Sequence, residues 1–124
     1  MKKTILTLLL AAMSTCAMAE WVKVGGNDEA TIYIDPATIK KDGNLSRIWR
    51  LHELKQRATN GEMSMRSLME YDCERERFRL LSRSTHSEPI AGGKMLFSND
   101  QVGEWAYIPP ETIGATILKI VCSK

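Results

Sequence analysis

The residues in this chain that could do chemistry are a few cysteines and histidines, a cluster of arginines and three tryptophans. Cys73 and Cys122 come first. Cys16 falls in an N-terminal segment expected to be removed, so these two remain, and two cysteines allow one intramolecular pairing. They stand 49 positions apart. Closing a loop of that size removes about 4 kcal/mol of unfolded-chain entropy. No Cys-x-x-Cys pair and no thioredoxin-like pattern surrounds either one, so the bridge reads as structural rather than redox-active. His52 and His86 have no second ligand at metal-binding spacing, and neither a metal nor a cofactor is expected. Serines are plentiful, but none sits in a nucleophile elbow. A serine, one of the histidines and a carboxylate could become a catalytic site only by meeting in space.

Arg75, Arg77, Arg79 and Arg83 read as a basic row on one strand face. The functional reading is a docking strip for an acidic or sulfated partner. The plain reading is a solvated face neutralised by Glu70 and Asp72 across a hairpin. Trp49 falls among apolar neighbours and is expected in the core, while Trp21 and Trp105 sit near strand ends. Met63, Met65 and Met69 share a face with Tyr71 and Cys73, which reads as core packing.

The elements that must position these residues are mostly strands. Residues 21–24 alternate, Gly25-Gly26-Asn27-Asp28 turns, and Thr31 to Ile34 form a second strand closed by Asp35-Pro36. Residues 45–54 form a third, with Leu45, Trp49 and Leu51 on one face and Ser46, Arg50 and His52 on the other. Residues 63–73 and 76–86 make the clearest hairpin. A turn at Glu74-Arg75 or over 73–76 pairs Asp72 with Arg77, Tyr71 with Phe78, Glu70 with Arg79, Met69 with Leu80 and Leu68 with Leu81. That register also sets Arg66 against Arg83, so the ladder should fray or bulge there. Residues 94–97 read as a strand, 98–104 as a loop, and 105–108 as extended chain before Pro109-Pro110. At the end, Thr112, Thr116, Lys119 and Ser123 recur at helical period as one polar stripe. A helix there is apolar over the rest of its surface and must be buried against the sheet, with Pro110 and Glu111 suiting its first turn. The fold class is therefore α+β: a small antiparallel sheet of about six strands with a C-terminal helix tied to it by the disulfide.

Residues 1–19 read as a signal peptide: Lys2 and Lys3, the apolar run Ile5 to Met13, then Ala17-Met18-Ala19 before Glu20. Met13-Ser14-Thr15-Cys16 matches a lipid-attachment site poorly, which favours cleavage before Glu20. The mature chain, residues 20–124, is one domain. The full chain has 17 Lys+Arg against 15 Asp+Glu. Lys2 and Lys3 leave with the signal, so the mature domain carries no basic excess. That argues against nucleic acid and leaves room for a homodimer. No stretch is long and apolar enough to span a bilayer as a helix.

Taken in order, several elements resemble the bacterial surface-adhesin protein E-like family. They are the early Trp21, Tyr33-Ile34-Asp35 with Thr38-Ile39, Ile48-Trp49-Arg50-Leu51, Ser67 leading into Tyr71-Asp72-Cys73-Glu74-Arg75 with Arg79, and Trp105 before Ile108-Pro109-Pro110 and Cys122. The resemblance implies an antiparallel sheet clamped to a C-terminal helix. It also implies an exported, non-enzymatic protein-binding module that attaches to host surface or matrix proteins. Its location would be the periplasm or outer surface of a Gram-negative-type bacterium. The competing reading is a soluble periplasmic accessory or envelope-stress protein acting by protein contact.

Overall fold

The computed structural model describes residues 20–123. The signal segment and the lipid-attachment question at Cys16 lie outside the described residues. The chain runs β1 (Val22–Gly26), β2 (Ala30–Asp42), β3 (Leu45–Leu54), β4 (Ser64–Asp72), β5 (Arg77–Glu88), β6 (Gly92–Asn99), β7 (Ala106–Tyr107) and α1 (Ile113–Cys122). Strands β1 to β6 lie in sequence order as an antiparallel meander. Strand β7 pairs with β5 at Arg77 and Phe78, beyond the stretch that β6 occupies.

The β4–β5 hairpin has the expected register at its turn end: Asp72 faces Arg77, Tyr71 faces Phe78, Glu70 faces Arg79 and Met69 faces Leu80. The next pair is Leu68 with Ser82, so Leu81 is an extra residue in β5. This bulge parts Arg66 from Arg83. Arg66 now faces Ser84, and Arg83 faces Ser67. Two like charges directly opposed would weaken the ladder, and one extra residue removes the clash.

Strand β2 departs from expectation. It continues through Pro36 to Asp42 instead of stopping at Asp35. A register shift between Asp35 and Lys40 takes the proline out of the ladder, where its missing N–H costs nothing. Thr38 replaces the lost ladder bonds: its hydroxyl donates to the Asp35 carbonyl at 2.6 Å and accepts from the Trp49 N–H at 3.1 Å.

Helix α1 packs on one face of the sheet, termed the helix face. Ile117, Leu118 and Val121 meet Ile32, Ile34, Ile48, Met69 and Tyr71, with Phe78 and Leu80 at the margin. Thr112 caps the helix, accepting from the Ala115 N–H at 3.2 Å. Pro110 and Glu111 precede the helix instead of forming its first turn. Glu111 has φ 63°, a left-handed conformation that a helix cannot include. The disulfide joins Cys73, just past β4, to Cys122 in the last turn of α1, with Cα atoms 5.8 Å apart. Beside it, the Ser46 hydroxyl donates to the Val121 carbonyl and Lys41 Nζ to the Cys122 carbonyl.

The helix is too small to cover its face. Ten residues make a cylinder about 15 Å long and 10 Å wide, whereas β2, β3 and β5 each run about 30–40 Å. The turn end of the β4–β5 hairpin is covered and the opposite end is not. The two faces of β3 divide as expected, but Trp49 is not in the core under the helix. Ile48 and Ser46 point to the helix, with Arg50 and His52 further along the same side. Trp49 points the other way and is half-buried, with the Arg66 guanidinium 3.9 Å above its ring.

Candidate functional site

The four arginines of the expected strip do not form a single row. Arg75 lies in the 73–76 turn, where its backbone N–H donates to Asp72 Oδ1 at 3.1 Å. Arg77 and Arg79 are on the reverse face. Arg83, displaced by the Leu81 bulge, is on the helix face with its guanidinium 5.3 Å from the Phe97 ring centre.

On the reverse face the charges are matched. Glu70 is buried and takes Arg47 Nε at 2.9 Å on one oxygen and Arg79 Nη2 at 2.7 Å on the other. Asp72 takes Arg77 Nε at 2.9 Å. Trp105 lies under the guanidinia of Arg77 and Arg79, 4.4 and 4.3 Å from its ring centre. Burial alone would push the Glu70 carboxyl upward, but the hydrogen bonds and charges of Arg47 and Arg79 outweigh it and hold the group below its ordinary value. Asp72 behaves alike. Desolvation works upward, while the Arg75 N–H, the Arg77 side chain and the Glu74 N–H prevail in the other direction. Arg47 and Arg66 also belong to this face; in the sequence Arg66 stands out only as a clash with Arg83, and nothing marks Arg47.

On the helix face, the ladder places Arg50, Ser67 and Arg83 side by side across β3, β4 and β5. The next row is His52, Met65, Thr85 and Phe97 across β3 to β6. Burial lowers the His52 pKa, the Arg50 charge lowers it further, and Glu62 acts against both. His86 lies on the reverse face, lowered by burial and by Arg66. Its Nε2 is 2.8 Å from the Ser84 hydroxyl. The two histidines therefore occupy opposite faces. The charged neighbour of the Ser84–His86 pair is an arginine, where a catalytic triad needs a carboxylate to orient the imidazole. No group of three His, Cys, Asp or Glu among the described residues is arranged to hold a metal ion.

Comparison with known proteins agrees with this architecture. The family model for surface-adhesin protein E matches residues 21–123. This chain belongs to the surface-adhesin protein E family. Solved structures of Haemophilus influenzae protein E share the fold. Crystal form II aligns with TM-score 0.68 and 14% identity over 89% of this chain and 92% of that one. A second structure gives 0.69 and 15% over 89% of each chain. Protein E from non-typeable Haemophilus influenzae gives 0.62 and 15%, covering 80% of that chain. A search of curated proteins found no match. Identities this low convey the fold of the family and nothing about individual side chains.

The shifted titrations in this family member set its acid stability. Both histidines, Glu70 and Asp72 have folded pKa values below their ordinary ones. Each group therefore binds protons more readily unfolded than folded, and each stabilises the fold only above its unfolded value. Stability is expected to fall in two steps on acidification. The first begins below the ordinary histidine value of 6.5, and the second below the carboxylate values of 4.5 and 3.8. Denaturant midpoints measured from pH 8 to pH 3 check this, and a midpoint that rises on acidification would contradict it.

Proposed function

We propose that this chain is an exported, non-enzymatic adhesin that binds protein partners, with host surface or matrix proteins as its targets. One structural observation carries the reading. Strand β6 is a free sheet edge, and Met95, Leu96 and Phe97 along it are 56, 40 and 47% exposed. An uncovered edge strand with apolar side chains invites pairing by another chain, because its outward N–H and C=O groups lack partners. Family membership supports attachment as the use of that edge. Among the described residues no helix is long and apolar enough to cross a membrane.

The test is binding of residues 20–124 to a panel of immobilised extracellular-matrix proteins. Saturable binding to at least one is expected, and it should weaken when Met95 and Leu96 are both replaced by lysine. Absence of binding to every member of the panel would refute the host-directed reading. The same edge suits a second copy of this chain, and sedimentation of the two proteins would reveal a dimer that the lysines dissolve.

A second reading, a soluble periplasmic accessory protein, is favoured by the poor lipid-attachment match at Met13-Ser14-Thr15-Cys16. Intact mass and N-terminal mapping from fractionated cells separate the two. A free Glu20 in the periplasm supports the accessory role, and an acylated Cys16 in the outer membrane supports adhesion at the surface.

A further inference from the structure

The end of the helix face that α1 leaves uncovered carries two arginines without a carboxylate partner among the described residues. Among the described residues Arg47, Arg57, Arg77 and Arg79 each meet a carboxylate. Arg50, Arg66, Arg75 and Arg83 do not, and of these Arg50 and Arg83 share the helix face, where the ladder sets them on either side of Ser67. Two hollows flank this row. One, about 260 Å³, is lined by Arg50 and His52 with Ile32, Leu54 and Ile113. The other, about 380 Å³, is lined by Arg83, Thr85 and Phe97. Glu29 borders the first and Glu62 the second, yet neither forms an ion pair with either arginine. Beneath Arg50 lies the buried Tyr71 hydroxyl. The first turn of α1, whose Ile113 borders the first hollow, contains no acidic residue.

We propose that this cleft docks an acidic segment of a protein partner, with Arg50 and Arg83 as its two anchors. A guanidinium presents a planar fork that matches a carboxylate, and it is less strongly hydrated than an ammonium, so less is lost when it leaves water. The two anchors sit on alternate strands, about 10 Å apart across the sheet. That distance suits two carboxylates on one extended peptide. The apolar walls formed by Ile113, Leu54 and Phe97 favour a peptide, which can add hydrophobic side chains, over a sulfated glycan, which cannot. Glu29 and Glu62 repel acidic groups that miss the arginines, so they help to fix the register of binding.

The proposal rests on the adhesin reading only in taking the partner to be a protein. Its test is a titration of residues 20–124 with a hexaglutamate peptide at low salt, followed by amide and arginine side-chain resonances. Saturable shifts centred on Arg50, Ser67 and Arg83 are expected. Binding should weaken about tenfold in Arg50→Gln and in Arg83→Gln. It should be unchanged in Arg75→Gln and partly restored in Arg50→Lys. Unaltered amide spectra elsewhere establish that each variant is folded. Lack of saturation, undiminished binding by either glutamine variant, or binding of a heparin-derived oligosaccharide but not of the peptide would each overturn it. Matrix attachment that survives Arg50→Gln with Arg83→Gln would sink the cleft and leave the adhesin reading intact. Peptide binding by a chain that attaches to no matrix protein would do the reverse.

Discussion

Replacing Cys73 and Cys122 by alanine is expected to destabilise the domain by about 4 kcal/mol and to release the far end of α1. The magnitude follows from the 49-residue separation of the two cysteines. Domains of this size hold about 5–15 kcal/mol in total, so the variant should be marginal. The helix is the element at risk. At ten residues it is too short to persist without its contacts. Its attachment depends on Ile117, Leu118 and Val121, on the disulfide, and on two hydrogen bonds from Ser46 and Lys41 near its last turn. Once the bridge is gone, only the apolar contacts and those two bonds hold that end. The melting temperature should fall by roughly 15–30 °C, and α1 amides should exchange well before those of β3 and β4. A change of only a few degrees, or uniform exchange across the domain, would show that the bridge does not hold the helix.

The second large effect is expected at Glu70. Glu70→Ala should destabilise by about 2–3 kcal/mol. That is less than the 3–5 kcal/mol typical of breaking a fully buried ion pair, because Arg47 keeps about half its surface in water. Arg79 is the costlier partner to strand, being 29% exposed and stacked on Trp105. Losing the carboxylate should therefore also loosen Trp105, and with it the β7 segment that pairs with β5. Trp105→Ala combined with Glu70→Ala should cost less than the two separate losses added together. Strict additivity in a denaturation cycle would show that the tryptophan is held by something other than the ion pairs.

Part of this architecture is legible in the chain because opposite charges and matching apolar residues specify a hairpin strongly. Asp72, Glu70, Arg77 and Arg79 fix one register, and any slip would send each to the wrong face. The polar stripe of α1 and the pairing of Cys73 with Cys122 are equally plain. What the sequence conceals depends on long-range packing. That Trp49 lies opposite the helix is decided by which side α1 takes, and the alternation within 45–54 fits either side. The continuation of β2 through Pro36 needs a bulge and the Thr38 hydroxyl, and neither leaves a periodic trace. The Arg66–Arg83 conflict announces a bulge but not its place at Leu81. In the sequence Arg50 is therefore an ordinary polar-face residue, and nothing there joins it to Arg83.

The bulge at Leu81 acts as a parity switch. Every β5 residue beyond it has exchanged sides relative to a regular strand, so Arg83 joins Arg50 while His86 joins the reverse face. Deleting one residue there would carry a positive charge through the sheet without altering composition or net charge. A single insertion or deletion at this point would thus redistribute charge between the two surfaces of the sheet.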